Sequence, residues 1–69
     1  MSESDLIAVG VAHAQFIETP ENEILRASMI RWMRRARTDG HTDEEIAAAA
    51  GWSGGPPLKA VDVERMLAD

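Results

Sequence analysis

The stretch "DGHTDEEIAAAAGWSGGPPLKAVDVERML", residues 39–67, decides the fold, because it holds a helix start, a helix stop and a second helix. Thr42 followed three residues later by Glu45 is the pattern of a capping box, in which each side chain bonds the other residue's backbone N–H. The alanine run that follows is strongly helix-forming, and Gly51 is expected to end the helix. Prolines cannot lie inside a helix, so the Gly-Gly-Pro-Pro predicts a loop before a last helix over residues 58–69.

Apolar side chains at helical spacing mark the expected core of this stretch. Residues three and four apart share one face of a helix, so the alanine-rich helix should bury Ile46, Ala49 and Ala50. The last helix has four candidates for inward positions, which are Leu58, Val61, Met66 and Leu67. At 69 residues, the chain is short enough to form a single domain.

Upstream, "TPENEILRASMIRWMRRARTDG", residues 19–40, is the clearest helix of the sequence. Thr19 suits the N-cap, and Pro20 suits the first helical position. Gly40 suits the left-handed residue that follows a helix end. One face is an apolar stripe formed by Leu25, Met29, Trp32, Met33 and Ala36. The opposite face carries Arg31, Arg34 and Arg35.

The first 18 residues are apolar on nearly every side. A helix that is apolar all round must be covered on more than one side, and a second copy of the chain could do this. We therefore predict that residues 1–18 drive dimerisation. The interface candidates come from both faces of the helix: Leu6, Ile7, Val9, Val11, Phe16 and Ile17. The alternation within residues 7–11 also fits a β-strand, so helix and strand both stay open for residues 5–17.

Residues 25–53 resemble the opening of bacterial and phage helix-turn-helix DNA-binding domains. In those domains a supporting helix is followed by a short link, a helix of the pattern E-I-A-x-A-x-G-x-S and a recognition helix. The matching residues here are Gly40, Thr42, Glu45, Ile46, Ala47, Gly51 and Ser53. The resemblance implies an all-α bundle of about four helices, with a helix-turn-helix unit over residues 20–69. It also implies a positive φ at Gly51 and a Trp52 side chain that fills the angle between two helices.

The resemblance further implies a small dimeric DNA-binding protein that regulates transcription in a bacterium or phage. The candidates for contacts in the DNA groove are Ser53, Lys59 and Arg65. The candidates for phosphate contacts are Arg31, Arg34 and Arg35. Double-stranded DNA would then be the main partner, together with a second copy of the chain.

The charge distribution favours a different function. The net charge is −5, and residues 53–69 offer only Lys59 and Arg65 against three acidic residues. DNA affinity depends on lysines and arginines that neutralise phosphates. The alternative is an acidic protein-interaction module on the same helical scaffold. It would bind a larger protein, for example a transcription component, without reading DNA.

Other classes of function find little support in the residues. Cysteine is absent, which excludes disulfides and thiolate metal sites. His13 and His41 do not supply the three or four converging ligands that a metal needs. No pairing of a nucleophile with a base can be identified. We expect no enzyme activity, cofactor or metal. Without a leader or an apolar run of about 18 residues, the sequence is typical of a cytoplasmic protein with no membrane partner.

Overall fold

The computed structural model describes residues 3–52 and 58–68, and these form four helices. The helices are α1 (Glu3–Glu18), α2 (Glu23–Thr38), α3 (Asp43–Gly51) and α4 (Ala60–Leu67). The predicted all-α bundle of about four helices is confirmed, and residues 5–17 are helical rather than extended. The predicted loop at Gly54–Pro57 lies outside the described residues.

The turn between α1 and α2 differs from the prediction. Asn22 rather than Thr19 is the N-cap of α2, because its side-chain oxygen accepts hydrogen bonds from the backbone N–H groups of Ile24 and Leu25 at 3.0 and 3.2 Å. Thr19 instead opens a four-residue turn, in which its carbonyl accepts the N–H of Asn22 at 2.9 Å. Pro20 occupies the second position of that turn, where its fixed φ is favourable. The predictions of Thr19 as N-cap and Pro20 as first helical residue are therefore wrong.

The link between α2 and α3 follows the prediction. The N–H of His41 bonds to the carbonyl of Ala36 at 3.1 Å, and the N–H of Gly40 bonds to the carbonyl of Arg37 at 3.0 Å. This pair of bonds is a Schellman motif, which needs a left-handed residue, and Gly40 has a φ of 101°. Thr42 and Glu45 then form the capping box at the start of α3.

The core lies where all four helices meet. The largest fully buried side chains come from every helix: Val9, Met29, Met33, Ile46 and Val63. Of the predicted apolar stripe of α2, Met29, Met33 and Ala36 lie in this core and Trp32 packs against it, whereas Leu25 is only half-buried. The predicted inward residues of α3 are all buried in the core.

In α4 the inward face is rotated relative to the prediction. Val63 is buried, whereas Val61 is 48% exposed. Val63 and Leu67 are four residues apart and share the buried face, with Leu58 and Met66 partly buried against the core. The assignment of Val61 to the core is wrong.

The end of α3 also departs from the expected geometry. Gly51 is the last residue of the helix, and Trp52 caps it in right-handed conformation with φ −62°. Among the described residues, positive φ occurs at Gly40 alone. The predicted left-handed turn at Gly51 is wrong.

A glycine in α1 controls how closely α1 packs on α3. A Cβ built on Gly10 would lie 3.0 Å from the carbonyl oxygen of Ala49. That oxygen belongs to the backbone of α3 and cannot swing away as a side chain does. Gly10 therefore lets the two helix backbones approach more closely than nine in ten real Cβ contacts would allow.

Substituting this glycine tests the packing. Gly10→Ala should destabilise the fold by roughly 1 kcal/mol, because overpacking exceeds the gain in helix propensity. Gly51→Ala is the matched control, since a Cβ at Gly51 has no described atom within 4 Å. It should raise the stability by up to about 1 kcal/mol. Urea unfolding followed by circular dichroism measures both changes, and equal effects of the two substitutions would contradict the close approach.

Candidate interaction surfaces

An apolar cleft lies on the outside of the bundle, between α1 and the C-terminal end of α3. It is lined by Ile7, Gly10, Val11, Ala14 and Trp52 and has a volume of about 310 Å³. The three large side chains are well exposed, with Trp52 at 67%, Ile7 at 58% and Val11 at 54% of their surface. Clustered exposed apolar side chains of this kind mark binding surfaces more often than scattered ones do.

The local structure explains why these side chains meet. Ile7, Val11 and Ala14 are spaced by four and three residues, so they share one face of α1. Trp52 follows α3 directly and is held by a hydrogen bond from its N–H to the carbonyl of Ala49, at 3.2 Å. Because Gly10 brings α1 against that same end of α3, the indole comes to lie beside the apolar face of α1.

The six predicted dimer-interface residues divide between the core and the surface. Leu6 and Val9 are buried in the core of the single chain and have little surface to offer a second copy. Phe16 and Ile17 are half-buried. Ile7 and Val11 lie in the cleft.

The prediction that Trp52 fills an angle between helices is wrong, since its side chain is mostly exposed.

The helices that form the cleft carry acidic charge only. Neither α1 nor α3 contains Lys or Arg. Their acidic residues are Glu3, Asp5, Glu18, Asp43, Glu44 and Glu45. Three of these lie beside a basic side chain: Asp5 is 3.6 Å from the Arg35 guanidinium, Asp43 binds Arg37 at 2.9 Å, and Glu45 is 3.6 Å from His41 Nδ1. Glu18, Glu44 and Glu45 are exposed and leave an acidic surface on both helices of the cleft.

Exposed arginines of α2 form a second surface, which we call the arginine face: Arg26, Arg31, Arg34 and Arg35. It includes the three predicted phosphate contacts and adds Arg26, which the sequence analysis did not select. Arg35 stacks on Trp32, with its guanidinium carbon 5.6 Å from the ring centre. Arg37 is held away from this face by two hydrogen bonds to Asp43, at 3.1 and 2.9 Å.

An apolar side chain interrupts the arginine face. Ile24 is 80% exposed. It lies in an open groove along α2 with Arg31, Trp32 and Arg35. Ile24 was not among the residues predicted from the sequence, although an isoleucine beside the apolar stripe of an amphipathic helix was a visible signal.

The predicted DNA-groove residues lie on a surface of mixed charge. Lys59 and Arg65 are exposed, at the start and near the end of α4. Glu64 is exposed beside Arg65, and the N–H of Lys59 bonds to the Asp62 carboxylate at 3.0 Å. Ser53 lies outside the described residues. This part of α4 therefore presents acidic groups as well as basic ones.

The described ranges, residues 3–52 and 58–68, hold neither a metal-binding cluster nor a membrane-spanning helix. No group of three or more His, Asp or Glu side chains there could hold a metal ion. No described helix is long and apolar enough to cross a membrane.

Comparisons with protein-family models, with curated proteins and with solved structures found no match for this chain.

The capping box of α3 should make the stability of the protein depend on pH. The backbone N–H of Thr42 donates to the Glu45 carboxylate at 3.0 Å, and this bond holds the pKa of Glu45 below its ordinary value of 4.5. A carboxyl whose pKa is lowered by folding stabilises the protein above its unfolded pKa, and this contribution is lost as the pH falls through the folded pKa. Thermal unfolding followed by circular dichroism should therefore show a decrease in stability below pH 4.5.

Glu45→Gln keeps a hydrogen-bond acceptor at this position but cannot titrate. The variant should lose less stability on acidification than the wild type. Glu44→Gln, one residue earlier, is the control and should keep the wild-type acid response. Equal acid responses in all three proteins would contradict the role of Glu45.

Proposed function

We propose that the chain is a protein-interaction domain whose apolar cleft receives one apolar face of a partner helix. The observation that carries the proposal is the joint exposure of Trp52, Ile7 and Val11 in one cleft. Tryptophans are enriched among the few residues that supply most of the binding energy of an interface.

The shape of the cleft supports a helical ligand. Its walls are a helix face and an indole, and binding of an amphipathic helix in an apolar groove is a recurring mode of recognition. Burial contributes about 25 cal/mol for each Å² of apolar surface removed from water. Covering three large exposed side chains would therefore yield several kcal/mol before the cost of association is subtracted.

The charge around the cleft supports a basic partner. Because α1 and α3 carry acidic residues without Lys or Arg, a basic helix would be attracted to the cleft and an acidic one repelled. Complementary charges at the rim of an interface raise the association rate and the selectivity more than the affinity.

Binding of DNA as a dimeric helix-turn-helix regulator is a second candidate, favoured by the arginine face on α2. Arginines grouped on one helix suit contacts with phosphates. The surfaces of α3 and α4 favour this function less, since the exposed acidic groups Glu44, Glu45 and Glu64 accompany Lys59 and Arg65. The protein-interaction function therefore has the stronger support.

Site-specific photo-crosslinking tests the docking function in cells of the native host. A benzophenone amino acid at Val11 should give a discrete crosslinked protein, identified by mass spectrometry, because the partner covers the cleft. The matched control is the same amino acid at Val61, a valine of comparable exposure on α4. Adducts at position 11 no stronger than those at position 61 would overturn the proposal.

Salt-dependent binding tests the DNA candidate. A labelled mixed-sequence duplex should bind at low salt, with an affinity that falls as the salt concentration rises. Replacing both Arg31 and Arg34 by Ala should weaken binding and reduce the salt slope by about 2. Fluorescence anisotropy measures both, with Val11→Ser as a control that leaves the net charge and the arginine face unchanged. No binding of the wild type at low salt would exclude this candidate.

A further inference from the structure

We infer that the occupant of the apolar cleft is a second copy of this chain, which inserts the Ile24 end of its α2. The contact joins two different surfaces, the cleft of one copy and the arginine face of the next. This inference rests on the proposed function of the cleft as a docking site.

The charge of the two surfaces is complementary. The helix α2 carries five arginines and one glutamate. The rest of the chain therefore holds two of the seven basic residues and eleven of the twelve acidic ones. The cleft lies between two helices without any Lys or Arg. Among the four described helices, α2 is the one whose net charge is opposite to that of α1 and α3.

The same argument disfavours symmetric pairing of the cleft with itself. A two-fold contact between clefts would place α1 and α3 of each copy against α1 and α3 of the other. The exposed carboxylates of Glu18, Glu44 and Glu45 would then approach like charges, which is unfavourable. Docking of α2 brings arginines to those carboxylates instead.

Apolar surface is available on both sides of the contact. Ile24 is the most exposed of the large apolar residues in the described part of the chain. Ala27 lies three residues further along the same face and is also exposed. Together they form a short apolar ridge, and the cleft of about 310 Å³ has room for the isoleucine side chain. Arg31 continues this face and lines the same open groove of α2 as Glu23 and Ile24.

The limited area predicts weak assembly. A standard stable interface buries about 800 Å² on each partner. The described chain exposes 4497 Å² in total, and one helix face in this cleft covers a small part of it. Assembly should therefore depend on concentration. Because each docked copy still presents a free cleft or a free α2, the contact can extend into rings or chains.

Two single substitutions each disrupt one of the two surfaces that form the contact. Val11→Lys removes apolar surface from the cleft and adds a charge that repels arginines. Ile24→Glu removes the inserted side chain and adds a negative charge, which the acidic helices α1 and α3 repel. Both positions are exposed, and Glu in the first turn of α2 suits the helix dipole, so both variants should fold like the wild type. Circular dichroism verifies this.

Sedimentation velocity over a concentration series at low salt provides the readout. The wild type should form dimers and larger species as its concentration rises, whereas each variant alone should stay monomeric. An equimolar mixture of the two variants should form a dimer and nothing larger. The mixture contains one intact cleft and one intact α2 for each pair, which together make a single contact.

Three results would overturn the inference. A wild type that stays monomeric excludes a second copy as the occupant, and crosslinking of another protein at position 11 would then still support the docking function. Assembly abolished by Val11→Lys but kept in Ile24→Glu would show that the cleft pairs with itself. A mixture that remains monomeric, although the wild type assembles, would exclude the contact between cleft and α2.

Discussion

The close packing of α1 on α3 at Gly10 determines the outer surface of this small bundle. The missing side chain at Gly10 lets α1 approach the carbonyl of Ala49, which also accepts the N–H of Trp52. One backbone oxygen thus lies at the contact between two helices and anchors the residue that caps α3. Without this approach, Trp52 and the apolar face of α1 would be separate exposed patches and would not line a common cleft.

The parts of the fold that depend on local signals could be predicted from the sequence. The capping box of Thr42 and Glu45, the left-handed Gly40 and the apolar stripe of α2 each involve residues within a few positions of one another. Their outcome depends on hydrogen bonds and spacing inside one helix or turn. The start of α2 is one exception, because Thr19 and Asn22 can both act as caps and the turn geometry decides between them. Val61 is another, since its spacing in α4 predicted a core position and the residue is 48% exposed.

The candidate site could be predicted less well from the sequence, because it depends on which faces of the helices pack against one another. The excess of apolar residues on α1 was visible in the sequence. Which of them enter the core depends on the positions of α2 and α3, and this places Leu6 inside and Ile7 outside. The exposure of Trp52 contradicts its usual tendency to be buried. A resemblance to helix-turn-helix domains led to the opposite expectation, although the Gly-Gly-Pro-Pro of residues 54–57 already sets this sequence apart from their pattern.

The separation of charge between helices changes what a neighbouring molecule experiences. At physiological ionic strength, charges are screened over about 8 Å, whereas the bundle measures 30 by 25 by 19 Å. A molecule close to one face therefore responds to the nearest helix and only weakly to the net charge of −5. A molecule that approaches this chain therefore meets one positively charged region and one negatively charged region. The net charge of the chain determines how it migrates in an electric field, whereas the local charge of each helix determines which molecules bind there.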